Sequence, residues 1–179
     1  MTDRMVGSPA PPRVFGSLPR HRLRQVRTPD GVTVAVQDWR DESSTRRRSL
    51  LLIHGYSQSH RCWLRQLNGP LAQEFGLVSY DLRGHGDSDK PMQPQYYRET
   101  PRWADEVRAV IGAMALERPV IVAWSYAGRV VLDYLGVYGA QALGGLVMVS
   151  AASKAGPEVT GPAGVLLDRM GDRDPAVAN

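Results

Sequence analysis

The 179-residue chain reads as an α/β fold, a mostly parallel sheet with helices on both faces. Two observations predict this. Four short runs, Leu50–Ile53, Leu77–Tyr80, Val120–Ala123 and Leu146–Val149, are apolar or nearly so, as strands buried on both faces of a parallel sheet are. Between them the apolar residues recur at helical spacing, and such strand–helix alternation builds a sheet covered by helices.

The elements follow in order. Residues 1–20 are proline-rich (Pro9, Pro11, Pro12, Pro19) and lack an apolar period, which predicts a flexible leader. Leu23–Arg27 and the alternating Val32, Val34 and Val36 flank Pro29-Asp30-Gly31, a hairpin pattern. Residues 41–48 are a polar loop. Trp63, Leu67, Leu71 and Phe75 lie at four-residue steps and predict one helix over 62–75. Thr100 is placed to N-cap a helix with Pro101 at its first position; Trp103, Val107, Val110, Ile111 and Met114 form its buried stripe. Val130, Val131, Tyr134, Leu135 and Tyr138 form that of a helix over 126–138. A single core domain is expected over 21–152, with 153–179 the start of a cap or a frayed C-terminal segment.

Charge and cysteine content narrow the function classes. The net charge is +4, but residues 1–48 hold ten arginines against five acidic groups. The rest of the chain is nearly neutral, so no nucleic-acid surface is expected. No apolar run reaches the roughly 18–20 residues that span a bilayer, and no secretory signal is recognisable. A lone cysteine, Cys62, excludes an intramolecular disulfide framework and a cysteine-based metal site. A cytoplasmic setting is expected. His54, His60 and His85 show no metal-ligand spacing, so neither metal nor cofactor is expected.

In a parallel sheet, ligands gather at the carboxyl ends of the strands. The third apolar run ends in Ala123-Trp124-Ser125-Tyr126-Ala127-Gly128, with a helix opening at once. Small residues two before and two after a serine at a strand-to-helix turn form a nucleophile elbow, usually written G-x-S-x-G; alanines replace both glycines here, and Gly128 follows. Ser125 is therefore the candidate nucleophile. Acyl transfer needs two N–H donors for the developing oxyanion. Tyr126, after the serine, and Tyr56, in His54-Gly55-Tyr56 after the first run, are the candidates. Gly55 lets that loop turn sharply, and His54 reads as a structural histidine. Asp81-Leu82-Arg83-Gly84-His85-Gly86 ends the second run; Asp81, Arg83 and His85 read as braces of a rigid loop.

HGYS, YDLRGHGDSDKP and AWSYAG, in that order and each after its strand, resemble the motifs of the α/β-hydrolase fold superfamily. The closest likeness is to its serine esterase, lipase-like and non-haem peroxidase-like branch, over roughly residues 22–152. The resemblance implies Ser125 as nucleophile, with Tyr56 and Tyr126 as oxyanion-hole backbone donors. Serine at the elbow argues against the haloalkane dehalogenase and epoxide hydrolase branches.

The departure concerns the base. In the family the acid and then the histidine follow the nucleophile. Here His21, His54, His60 and His85 all precede Ser125; beyond residue 152 come Asp168, Asp172 and Asp174 but no histidine. The expectation is an esterase-type scaffold, incomplete at its C-terminal end and inactive as it stands, for a small-molecule acyl substrate. The alternatives are an acyltransferase or perhydrolase, and a non-catalytic binding protein or remnant on the same fold. The strand at 145–149 is expected to present an open sheet edge through which copies self-associate.

Overall fold

The computed structural model describes residues 19–40 and 48–151. The leader up to residue 18, the loop over 41–47 and the segment from 152 onward, with Asp168, Asp172 and Asp174, lie outside the described residues. Six strands form one sheet: β1 (Arg22–Arg27), β2 (Thr33–Asp38), β3 (Ser49–Ile53), β4 (Gly76–Tyr80), β5 (Val120–Trp124) and β6 (Gly145–Val149), in the order β1-β2-β4-β3-β5-β6. The expected hairpin is β1–β2, in register from Arg22 opposite Asp38 to Arg27 opposite Thr33. β2 also pairs antiparallel with β4. The β4–β3, β3–β5 and β5–β6 pairs are parallel.

Alternation along each strand feeds two cores. Leu51, Ile53, Ile121 and Ala123 point to the larger one. There they meet Trp103, Val107 and Val110 of α4 (Thr100–Ala113) and Val130, Val131 and Tyr134 of α5 (Ala127–Tyr138). Leu50, Leu52 and Leu77 point the other way, onto Trp63 and Leu67. Burying each such aliphatic side chain contributes roughly 1.5–3 kcal/mol. The helices thus lie on both faces.

The helix expected over 62–75 is broken. A 3₁₀ turn (His60–Trp63) leads into α1 (Leu64–Leu67), and α2 (Leu71–Glu74) restarts after Asn68-Gly69-Pro70. Pro70 has no N–H to continue the ladder. A Cβ on Gly69 would lie 2.8 Å from the Arg65 carbonyl oxygen. The four-residue apolar step ends at the break: Trp63 and Leu67 are buried, whereas Leu71 is exposed and Phe75, just past α2, is only partly buried against the same core. A further short helix, α3 (Gln95–Arg98), precedes α4. The start of α4 also shifts by one residue: Glu99, in extended conformation, is the N-cap and Thr100 the first helical residue. Pro101 stays in the first turn, where a missing N–H costs nothing.

Candidate active site

β3, β4 and β5 run parallel, so they deliver His54, Asp81 and Ser125 to the same edge of the sheet. Ser125 lies between the end of β5 and the start of α5 with φ +54°, a left-handed backbone that a serine adopts only at a cost. The turn is held by Ser125 N–H donating to the Val149 carbonyl at 3.0 Å and by Gly128 N–H donating to the Ser125 carbonyl at 3.0 Å. Ala123 and Ala127 on either side are fully buried, which explains why small residues stand there. The side chain of Ser125 is half-buried.

The loop after β3 packs directly on this turn. A Cβ added to Gly55 would lie 3.0 Å from Ser125 Cβ and 3.6 Å from its Oγ. The Tyr56 and Tyr126 rings meet edge-on at 6.0 Å, so the structure brings the segments carrying Ser125, Tyr56 and Tyr126 together. Tyr126 also packs on Trp103 at 5.8 Å; burial pushes its hydroxyl up to about 12. Tyr56 is 48% exposed.

All four imidazoles of the chain lie among the described residues. His54 is fully buried; its Nδ1 donates to the Gly55 carbonyl at 2.7 Å and its Nε2 accepts from Leu82 N–H at 3.0 Å. Burial lowers its pKa to about 4, so the ring is neutral. His85 donates from Nδ1 to the Arg83 carbonyl at 3.0 Å and accepts at Nε2 from Ser57 N–H at 3.2 Å. His60 donates from Nδ1 to the Asp81 carboxylate at 2.9 Å. His21 packs against Trp39 with its ring tilted, centroids 4.3 Å apart, and its Nδ1 lies against the Pro19 carbonyl at 3.2 Å.

Asp81 is a buried hub. Its carboxylate also accepts from the backbone N–H of His60 at 2.6 Å and of Asp87 at 2.9 Å. Burial works to raise its pKa, and these hydrogen bonds outweigh burial and lower it. Gly86, at φ +47°, leaves room for that carboxylate: a Cβ there would lie 2.2 Å from Asp81 Cγ. Gly84, at φ +80°, passes under Tyr97, which a Cβ would meet at 3.0 Å.

Arg83 is fully buried and anchors the same loop. Nε donates to Glu106 at 2.6 Å, and Nη1 donates to Asp30 at 2.7 Å and to the Tyr96 carbonyl at 2.9 Å. Glu106, Asp30 and His60 are partners that sequence reasoning did not single out. Only the unusual burial of opposite charge around Arg83 reveals the first two, and burial is a property of the fold.

His60, Asp81 and Asp87 offer ligand atoms within 4.8 Å of one another. The two buried members already bond each other, and Asp81 also holds backbone amides, so the trio works as a hydrogen-bonded brace. A pocket of about 470 Å³ lies beside the hairpin turn, lined by Arg27, Asp30, Asp89, Lys90 and Tyr96 among others; Ser125, Tyr56 and Tyr126 are not in its lining. Among the described residues no helix is long and apolar enough to cross a membrane.

Comparison with known proteins accords with this geometry. The AB hydrolase superfamily protein YisY of Bacillus subtilis is 28% identical over 130 residues, which are 73% of this chain and 46% of YisY. The bifunctional esterase/perhydrolase DCH of Acinetobacter calcoaceticus is 29% identical over 126 residues, 70% of this chain and 44% of DCH. The crystal structure of the esterase RhEst1 from Rhodococcus sp. ECU1013 superposes with a TM-score of 0.68 at 28% identity, covering 84% of this chain and 60% of that one. The chain thus spans a little under half the length of these two relatives. The alpha/beta hydrolase family matches from residue 50 to residue 178, a stretch that takes in all three motif loops, and the chain belongs to that family.

Proposed function

We propose that the chain carries the nucleophile and oxyanion donors of an esterase-type serine hydrolase acting on a small-molecule ester. Ser125 Oγ would attack the acyl carbon, and the backbone N–H groups of Tyr56 and Tyr126 would hold the resulting oxyanion. The observation that carries this reading is Ser125 at φ +54° on the turn from β5 into α5, with Gly55 of the loop after β3 packed so closely that a Cβ there would lie 3.0 Å from Ser125 Cβ. Similarity to RhEst1 and to the esterase/perhydrolase DCH supports an acyl substrate. The proton on Ser125 Oγ has no acceptor among the four imidazoles: His54 and His85 use both ring nitrogens on backbone groups, His60 is turned to Asp81, and His21 sits on Trp39.

The test is formation of a tetrahedral adduct with phenylboronic acid, followed at equilibrium by ¹¹B NMR: boron mimics the tetrahedral acyl centre, and the proton lost from Ser125 Oγ as the O–B bond forms passes to the buffer rather than to an imidazole. Adduct formation by the wild-type chain and its loss in Ser125→Ala are expected; equal binding by both would refute the assignment. Engagement of all four imidazoles favours a second reading, a non-catalytic ligand-binding protein on the same fold. It predicts a Ser125→Ala chain that binds small esters as well as the wild type does.

A further inference from the structure

Two consecutive peptide groups flank Tyr56, and each is held by a different histidine. The peptide joining Gly55 to Tyr56 has its carbonyl on His54 Nδ1 at 2.7 Å. A trans peptide points its N–H opposite to its carbonyl, so this bond turns the Tyr56 N–H away from His54. The next peptide, joining Tyr56 to Ser57, has its N–H on His85 Nε2 at 3.2 Å. His85 comes from the other loop, after β4, and its Nδ1 proton is committed to the Arg83 carbonyl at 3.0 Å, which leaves Nε2 as the acceptor.

The same imidazole contacts the ring of Tyr56 edge-on at 5.8 Å and that of His54 at 5.2 Å. Ser57 needs the restraint: its φ is +56°, a conformation that a non-glycine residue leaves when nothing holds it. The Arg83 backbone that orients His85 is in turn immobilised by the buried Arg83–Glu106 pair at 2.6 Å.

From this arrangement we infer that His85 is a positioning residue: it latches the loop after β4 to the loop after β3 and holds Tyr56 with its backbone N–H presented at Ser125. The inference rests on the reading of Tyr56 as an oxyanion donor. The latch requires a neutral ring with its proton on Nδ1. The titratable groups facing His85 are the neutral His54 and the phenol of Tyr56.

The experiment uses the full chain, labelled with ¹⁵N. In the wild type, a through-hydrogen-bond ¹⁵N–¹⁵N coupling between Ser57 N and His85 Nε2 is expected; its absence overturns the latch without any substitution. His85→Phe keeps an aromatic ring but removes the acceptor. Exchange of the Ser57 amide should accelerate roughly five- to tenfold, as loss of one hydrogen bond allows. Phenylboronate affinity should weaken by a similar factor. His85→Gln, which can supply an acceptor oxygen, should restore both to within about threefold. Unchanged exchange and affinity in His85→Phe overturn the inference, and so does failure of His85→Gln to rescue them. If boronate binds no variant, wild type included, the nucleophile assignment fails, while the coupling and the exchange rates still decide the latch.

Discussion

Gly55 and Ser125 come from different strand ends, and the Cβ that Gly55 lacks would lie 3.0 Å from the Cβ of Ser125. The backbone after β3 can lie against the turn after β5 only because no side chain stands between them. Gly55→Ala should therefore push the two loops apart by a few tenths of an ångström. The expected result is a chain that still folds, destabilised by about 1 kcal/mol, with phenylboronate binding weakened at least tenfold because donor and nucleophile lose register. Chemical denaturation and ¹¹B titration check the two halves; undiminished boronate affinity would contradict the coupling of the loops.

Gly86→Ala should be costlier. The new Cβ would meet the buried Asp81 carboxylate at 2.2 Å, and φ at that position is +47°. Asp81 cannot retreat, because it holds the backbone N–H groups of both His60 and Asp87. A loss of roughly 3 kcal/mol or more is expected from the clash and the strain together, read as a lower urea midpoint. A loss below about 1 kcal/mol would show that the hub tolerates displacement.

His54 gives the fold a defined pH dependence. Its ordinary pKa near 6.5 falls to about 4 in the folded chain through burial. At this site the unfolded chain binds more protons between those values, so the His54 contribution to stability rises with pH across that window and is lost as pH falls from 6.5 toward 4, while Glu106, pushed up to about 7 by burial, works in the opposite direction above its ordinary value near 4.5. The His54 shift corresponds to about 3 kcal/mol. The depressed carboxylates Asp30, Asp38 and Asp81 act in the same direction as His54, but below their unfolded value near 3.8. Urea unfolding of the wild type and of His54→Gln at a series of pH values isolates the His54 part: the wild type should gain stability relative to the variant as pH rises from 4 to 6.5. An unaltered slope in that variant would assign the effect elsewhere.

The parts legible in the sequence are those set by local pattern. Leu50–Ile53 and Val120–Ala123 announce buried strands because both faces are apolar, and Ser125 is marked by the small residues around it. The break at Asn68-Gly69-Pro70 is also written in the chain, but the apolar step from Trp63 to Phe75 masks it, because spacing alone does not tell that Leu71 is left exposed. The partners of Arg83 were out of reach for a different reason. Asp30 and Glu106 lie 53 positions before it and 23 after it, and no local period links them. The acceptor role of His85 depends on which ring nitrogen is protonated, which only the neighbouring carbonyl of Arg83 decides.

Among the described residues β6 pairs with β5 alone and ends the sheet. Leu146 is 36% exposed, Val147 46% and Val149 38%, and its five residues carry no charge. An unprotected apolar edge favours strand pairing between molecules. Sedimentation velocity should show association that grows with concentration, and Val147→Lys should reduce it by setting a charge on the edge strand. A wild-type chain that stays monomeric at high concentration would dispose of this expectation.

The last expectation concerns turnover. A serine hydroxyl is a weak nucleophile at neutral pH and needs a base to take its proton. The sequence holds four histidines, and the structure commits each of them to another partner. For His54, moreover, burial disfavours the protonated ring that a base must become. In a serine protease, removing the catalytic histidine costs on the order of 10⁶ in turnover, and what survives without it is roughly 10³–10⁴ over water. The 179-residue chain should therefore hydrolyse 4-nitrophenyl acetate barely above background, with little difference from Ser125→Ala, even though boronate distinguishes the two. The contrast between the assays is the diagnostic, because adduct formation reports the nucleophile and its donors while turnover reports the base. Robust hydrolysis that vanishes in Ser125→Ala would mean that an imidazole is released from its backbone partners in solution. His85, whose Ser57 bond is the longer of its two, is the first residue to substitute in that event.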